Sequence, residues 1–253
     1  MKLPPVAGPS TTFKNAEGSN ILLDFAIAAR TNPDAIALMA DTREEQIDLE
    51  REALVRQYIL IIDRSGSMSW PDRNGTRWTS AQKAVETLVP VIFQHDVDKS
   101  IPLYVFDSKV EFVGECTKAS QISTVFREYQ PGSSTNLSEA LDLAMGTYLG
   151  SKRANYDVVP GTTFIVILDG GADDPAKVKD VITKYADPNN GYISNHTQAA
   201  ISFLQIGDDA AATRFLADLD DMKPLDIIDT KKDDFIFSGA EGVEKLLHDA
   251  IFD

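Results

Sequence analysis

The sequence predicts an α/β protein with a doubly wound, mostly parallel central sheet, one antiparallel edge strand and helices on both faces. Two observations lead to this prediction. Apolar runs of strand length, such as residues 58–62 and 163–168, are bounded by turn residues, as is typical of strands buried on both faces of a parallel sheet. Longer segments with helical periodicity separate these runs, and such alternation indicates a doubly wound sheet.

The predicted strands are short and rich in apolar residues. In chain order they are residues 57–62, 102–106, 110–113, 162–168, 200–206 and 226–229. Asp107 and Ser108 make a tight turn between the second and third strands. Residues 110–113 are therefore predicted to lie antiparallel at one edge of the sheet.

The predicted helices each carry apolar residues on one face. In chain order they are residues 78–94, 120–129, 137–149, 175–185, 210–219 and 239–252. Thr79 or Ser80 is the predicted N-cap of the first helix. Pro175 is typical of the first turn of a helix, and the acidic pair before it suits a helix N-terminus.

The N-terminal quarter of the chain differs in composition from the rest. Residues 1–20 are rich in Pro, Gly, Ser and Thr and predict a flexible arm. Residues 21–56 contain short apolar segments and a stretch rich in Glu, Arg, Leu and Ala, which predict a helical extension. The α/β domain is predicted to cover residues 57–253. The extension packs either on its own domain or on a neighbouring subunit, and the sequence leaves both open.

The composition excludes several classes of partner. The net charge of −15 argues against binding to nucleic acid and to anionic membrane surfaces. No segment approaches the roughly 18 apolar residues of a membrane span. Cys116 is the single cysteine, so no intramolecular disulfide can form, and the first residues lack the apolar core of a secretory signal. We therefore expect a cytoplasmic protein that binds neither nucleic acid nor membrane.

Oxygen-bearing side chains gather directly after the first predicted strand. Asp63, Ser65 and Ser67 stand there at every second position. Ligands of open α/β sheets bind at the carboxyl ends of the strands, where these side chains would lie. A carboxylate and two hydroxyls are hard ligands that suit Mg²⁺, Mn²⁺ or Ca²⁺.

Two later residues extend this group of oxygen donors. Thr135 stands just before the predicted helix 137–149, and Asp169 follows the predicted strand 162–168. Each of the three segments also has a plainer interpretation. Residues 63–67 are then a turn, Thr135 is a helix N-cap, and Asp169 is part of a turn. Their order along the chain, each at a strand end or a helix start, favours one shared site.

The pattern Asp63-x-Ser65-x-Ser67, then Thr135, then Asp169 resembles the metal-ion-dependent adhesion site of von Willebrand factor A domains. The resemblance spans most of the chain. It implies that the two serines and the threonine contact a divalent cation directly, whereas the two aspartates act mainly through water. It also implies that the cation is Mg²⁺, or else Mn²⁺ or Ca²⁺.

The same resemblance implies a protein-binding module rather than an enzyme. In this family an Asp or Glu of the partner protein completes the metal coordination, and some stand-alone members act as adaptors beside AAA-type ATPases. Two alternatives remain. One is a Mg²⁺-dependent hydrolase or phosphatase, for which Arg64 or Lys177 would have to bind phosphate. The other is a structural subunit that assembles through its N-terminal arm.

The loop after the first motif is long for a strand-to-helix connection and carries Trp70, Arg73, Arg77 and Trp78. Trp and Arg are enriched at binding hot spots. We predict that Trp70 and Arg73, with Asp173 beyond the last motif, form a rim that contacts the partner. Trp78 is predicted to pack at the start of its helix, and Asp173 has the alternative role of a helix cap.

Overall fold

The computed structural model describes residues 51, 53–73, 75–152, 160–220, 222–235 and 239–252. Leu54–Ile251 forms one compact unit. The predicted flexible arm and most of the predicted helical extension lie outside the described residues.

The strands form one large sheet and one small hairpin. In chain order they are β1 (Gln57–Asp63), β2 (Pro71–Asp72), β3 (Gly75–Thr76), β4 (Ile101–Phe106), β5 (Val110–Cys116), β6 (Thr162–Leu168), β7 (Ala199–Gln205) and β8 (Ile228–Lys232). The large sheet has the order β5-β4-β1-β6-β7-β8, and β2 pairs with β3. Neighbours in the large sheet are parallel except β4 and β5. This arrangement confirms the predicted sheet with its antiparallel edge strand.

The α-helices lie between the strands in sequence and after the last one. They are α1 (Arg77–His95), α2 (Ile122–Glu128), α3 (Leu137–Lys152), α4 (Pro175–Ala186), α5 (Ala210–Asp220) and α6 (Ala240–Phe252). A short 3₁₀ turn, Gly66–Ser69, begins three residues after the end of β1. Among the helices of the described residues, none has the length and apolar character needed to cross a membrane.

Both faces of the sheet are buried, which explains the nearly continuous apolar runs in the sequence. Ile59 and Ile61 of β1 belong to a core cluster with residues of β6, β7, α3, α4 and α5. Successive side chains of a strand point to opposite faces. Tyr58 and Leu60 therefore face the other side, where they are equally buried. Helices thus cover the sheet on both sides, as expected for a doubly wound fold.

Some predicted elements differ from the structure in detail. The N-cap of α1 is Thr76, whose side chain accepts a hydrogen bond from the Thr79 backbone, whereas Thr79 or Ser80 was the predicted cap. Thr79 is the reciprocal partner of this capping box and so lies inside the first turn. The last strand is Ile228–Lys232 rather than residues 226–229, and the β2–β3 hairpin is an element that the sequence did not predict.

The order of the strands creates a crevice at the carboxyl end of β1. The chain runs from β1 to β4 on one side, whereas β6 and β7 add on the other side. This reversal is a topological switch point, where open α/β sheets bind ligands. Asp63 is the last residue of β1 and Asp169 directly follows β6, so both aspartates lie at this crevice.

Candidate metal centre

Asp63 anchors the turn that follows β1. Its side chain is fully buried, and its Oδ1 accepts a hydrogen bond from the Ser65 backbone N–H at 2.6 Å. The chain then enters the 3₁₀ turn, in which the Met68 and Trp70 amides donate to the carbonyls of Ser65 and Ser67. The alternation of Asp and Ser in the sequence therefore places one carboxylate and two hydroxyls on a single tight turn.

The two serine hydroxyls connect this turn to Asp169 across the sheet. Ser67 Oγ donates to Asp169 Oδ1 at 2.8 Å, and Ser65 Oγ lies 3.1 Å from Ser67 Oγ. A hydroxyl has a single proton, so Ser65 is the donor within the serine pair. Residues separated by about a hundred positions thus form one chain of hydrogen bonds from β1 to β6.

Thr135 lies on a loop that is bonded to both of the other segments. Gly66 N donates to Ser133 O at 3.0 Å and Gly132 N to Arg64 O at 2.8 Å, which join this loop to the turn after β1. The Asn136 side chain, not that of Thr135, accepts from the Glu139 backbone at the start of α3. The Thr135 side chain makes no hydrogen bond with the described residues, so its hydroxyl is available as a ligand.

The donor set fits a hard divalent cation. Asp63 Oδ2 is buried and has no hydrogen-bond partner among the described residues. An orphaned buried carboxylate oxygen is costly and calls for a compensating cation or ordered water. The described residues contain no group of three or more His, Cys, Asp or Glu placed to hold a metal, so hydroxyls would have to supply the remaining ligands. Oxygen-only ligands of this kind suit Mg²⁺, Mn²⁺ and Ca²⁺.

The electrostatics of the crevice also favour a bound cation. Burial raises the pKa of Asp63 to about 7, the Ser65 backbone N–H opposes this shift, and the charge of Asp169 adds to it. The shift disfavours the ionised form of Asp63. A divalent cation close to Asp63 would favour its ionised form.

The structure adds Arg77, which sequence reasoning placed in the loop but not in the site. Arg77 Nη1 lies 2.8 Å from Asp169 Oδ2. Asp169 is fully buried, and the Arg77 side chain is only 12% exposed. The two residues are ninety-two positions apart, and no local pattern links them. The sequence contains one indication that this residue belongs to the site. Arg77 stands at the start of the helix that follows Asp63, Ser65 and Ser67.

The predicted rim residues have different roles in the structure. Trp70 is 56% exposed, as a recognition residue would be. Trp78 is buried and packs on Phe126 with ring centroids 4.4 Å apart, which confirms its predicted packing role. Arg73 forms an ion pair with Asp233 at 2.6 Å.

Asp173 binds the loop of Thr135 rather than capping a helix. Its Oδ2 accepts from Thr135 N, and its own N–H donates to Thr135 O, both at 3.0 Å. The cap of α4 is Asp174, whose side chain accepts from Lys177 N. The two neighbouring aspartates therefore divide the roles that the sequence left open for the pair.

Comparison with known families gives a match over part of the chain. Residues 58–170 match the family model described as the von Willebrand factor type A domain. This segment begins in β1 and ends just after Asp169, so it contains all five predicted ligands. A comparison with curated proteins gives no match.

Several solved structures share this fold. The SpRpn10 VWA domain has a TM-score of 0.51 at 12% identity, over 76% of this chain and 94% of that one. The manganese-loaded TRAP protein of Plasmodium vivax has a TM-score of 0.53 at 14% identity, over 77% of this chain and 74% of that one. Proximal thread matrix protein 1 from the mussel byssus has a TM-score of 0.50 at 13% identity, over 78% of this chain and 46% of that one.

The fold and the matching segment together support a von Willebrand factor type A domain in this chain. The identities are low, so the structural likeness concerns the fold. The assignment of ligands rests on the geometry at the crevice.

Proposed function

We propose that this chain is a cation-dependent protein-binding module. Its candidate ligands Asp63, Ser65, Ser67, Thr135 and Asp169 hold a divalent cation, and a carboxylate of a partner protein completes the coordination. The single observation that carries the proposal is Asp63 Oδ2, which is buried at the topological switch point without a hydrogen-bond partner among the described residues. The manganese-loaded TRAP protein, which shares the fold, supports a divalent cation as the bound group.

The chain's own residues prepare this site. Asp63 fixes the turn after β1 through the Ser65 N–H, and Ser67 orients Asp169 by donating to its Oδ1. Such fixed neighbours hold ligands in place and tune the affinity of a metal site. When bound, a divalent cation would supply a positive centre that keeps some positions for water or for a partner oxygen.

Calorimetry on metal-stripped protein tests the site itself. Titration with Mg²⁺ and with Mn²⁺ is expected to show saturable binding by the wild type. Asp63→Ala should bind roughly 10–100-fold more weakly, the range seen when groups that support a metal site are removed. Asp142→Asn is the matched control, because Asp142 is an aspartate on α3 that pairs with Lys184 outside the site. Equal affinities of wild type and Asp63→Ala would contradict the proposal.

The partner carboxylate is tested separately, with Mg²⁺ or with EDTA in the buffer. Partner proteins presenting Asp or Glu, an AAA-type ATPase subunit among them, are expected to bind only with Mg²⁺. Binding that survives both EDTA and Asp63→Ala would show that the partner uses another surface. The cytoplasmic location predicted from the sequence stays a prediction.

The hydrolase alternative has less support from the geometry. Arg64, one of the two basic residues considered for phosphate, pairs with Glu111 at 2.7 Å and lies over the ring of Tyr129. Lys177 lies in the first turn of α4, where its backbone N–H serves the Asp174 cap. A phosphatase screen with and without Mg²⁺ tests this alternative directly, and we expect no Mg²⁺-dependent turnover.

A further inference from the structure

Arg77 contributes a fixed positive charge to the candidate metal centre. Its guanidinium contacts Asp169 Oδ2 at 2.8 Å, while Ser67 bonds Oδ1 of the same carboxylate. Both oxygens of Asp169 are therefore engaged, one by a hydroxyl and one by a permanent cation. Arg77 therefore forms an ion pair with a fully buried carboxylate that is also held by a hydroxyl.

Several neighbours hold the Arg77 side chain in this position. Its guanidinium lies over the Trp70 ring at 5.1 Å from the centroid, and its backbone N–H donates to Trp70 O at 3.0 Å. Gly207, which has a φ of 75°, brings its backbone close on another side, where an added Cβ would lie 3.4 Å from Arg77 Nε. The guanidinium is thus enclosed by Asp169, an indole and the loop after β7, and is not a freely rotating surface group.

The charge of the site depends on this arginine. Asp63 and Asp169, when ionised, carry two negative charges, and Arg77 compensates one of them. A divalent cation then changes the summed charge of these three side chains and the cation from one negative to one positive. Without Arg77, the same cation would produce a neutral site. Charges this close interact strongly in a buried environment, so the arginine opposes the metal and attracts an incoming carboxylate.

We propose that Arg77 is a built-in counter-cation that shares Asp169 with the metal, weakens binding of the metal alone and makes the loaded site attract an acidic partner. The inference rests on the proposed function. Metal and partner would then bind cooperatively, because each lowers the electrostatic cost of binding the other, and such coupling is reciprocal. Arg77 acts here as a positioning and charge-setting residue and not as a metal ligand.

Titration of Mg²⁺ into metal-stripped wild type, Arg77→Gln and Arg214→Gln tests the inference. Arg77→Gln is expected to bind Mg²⁺ roughly tenfold more tightly than the wild type, since one opposing charge is removed. Arg214→Gln is the matched control: it removes the same charge from α5, where Arg214 is exposed and donates to the Ala210 carbonyl rather than to Asp169. Its affinity for Mg²⁺ should equal that of the wild type.

Fluorescence of Trp70 gives a second readout that needs no substitution at Arg77. Mg²⁺ that competes for Asp169 changes the contact between Arg77 and the exposed indole, so the emission should change at saturation. Trp70→Phe identifies the signal, because the other tryptophan, Trp78, is buried. An unchanged emission at saturating Mg²⁺ would contradict the proposal that Arg77 and the metal share Asp169. Because this readout uses the wild-type protein, it decides the question even if Arg77→Gln does not fold.

The outcomes separate this inference from the proposed function. If the wild type binds Mg²⁺ but Arg77→Gln binds equally or more weakly, the inference is wrong and the proposed function stands. If Arg214→Gln tightens binding as much as Arg77→Gln, the effect is one of general charge and the inference is also wrong. Tight binding by Arg77→Gln alone supports it, and absence of binding by every variant overturns both.

Discussion

At the scale of the residue, Asp63 has an environment that is unfavourable for a charge. It is fully buried, one of its oxygens has no hydrogen-bond partner among the described residues, and burial raises its pKa to about 7. The ordinary pKa of an aspartate in an unfolded chain is about 4. At a pH between these two pKa values, the Asp63 carboxyl holds a proton in the folded chain but has lost it in the unfolded chain. The folded state therefore loses stability as the pH rises through this window.

Replacement of Asp63 by Asn tests this dependence on pH. Without divalent cations, Asp63→Asn should be more stable than the wild type by roughly 1–3 kcal/mol at about pH 8, where the wild-type carboxylate is ionised. At about pH 4 the two proteins should have similar stability, because the buried carboxyl is then protonated. Urea denaturation at both pH values gives the free energies of unfolding.

Saturating Mg²⁺ supplies the control for this comparison. At about pH 8 it should stabilise the wild type through binding to the folded state and should stabilise Asp63→Asn much less. An advantage of Asp63→Asn that is the same at both pH values would show that its cause is not the buried charge.

At the scale of the element, the start of α1 fixes one side of the site. The capping box of Thr76 and Thr79 sets where the helix begins, and Arg77 is its first residue. The β2–β3 hairpin ends at this cap, because Thr76 is the last residue of β3 and pairs with Pro71. The long loop after β1 is therefore ordered by a hairpin and a cap, which together carry Trp70 and Arg77 to the crevice.

Removal of the cap tests this role. Thr76→Ala should lower the free energy of unfolding by about 1 kcal/mol, the usual cost of losing a threonine N-cap. Thr87→Ala is the matched control, because Thr87 lies in the middle of the same helix and bonds only the Lys83 carbonyl. Denaturant unfolding of both variants makes the comparison, and equal losses would mean that the cap has no special contribution.

The sequence predicted elements well where burial dictates the pattern and less well elsewhere. Strands β1 and β6 are continuous apolar runs because both faces of the sheet are covered, and they were predicted almost to the residue. Strand β8 lies at an edge and is half exposed, so its sequence Ile-Asp-Thr-Lys-Lys gives a weak signal. The two-residue strands β2 and β3 are too short to leave a periodic pattern.

The oxygen groups of the site were predictable for a related reason. Asp63 ends β1 and Asp169 directly follows β6, two strands that the apolar pattern reveals, and parallel strands bring their carboxyl ends to the same edge. The ion pair of Arg77 with Asp169 was not predictable. It depends on the length and path of the loop after β1, and these are set by the hairpin and by the contact with Trp70.

At the scale of the whole molecule, Leu54–Ile251 forms a compact unit with its own core. Arg56, buried before β1, donates to Thr162 O at 3.0 Å, and the Tyr58 hydroxyl donates to Leu54 O at 2.7 Å. These contacts belong to the folded unit, so a truncation that removes the N-terminal region should retain residues from about 51 onward.

Such a truncation tests the predicted assembly through the N-terminal arm. A chain that starts at residue 51 should keep its far-ultraviolet circular dichroism and unfold cooperatively. If the arm joins subunits, light scattering should show a higher mass per particle for the full chain than for a single chain, and a single-chain mass for the truncated form. The same oligomeric state in both would exclude a tethering role.

The reciprocal bonds between Thr135 and Asp173 have a consequence for motion. They close a ring of contacts in which the turn after β1 is bonded to the loop of Thr135, that loop to the segment after β6, and Asp169 back to Ser67. No single loop can swing outward without breaking bonds to the next one. Opening of the crevice would then be a cooperative local unfolding event of three segments at once, rare and all-or-none rather than a graded fluctuation of separate loops.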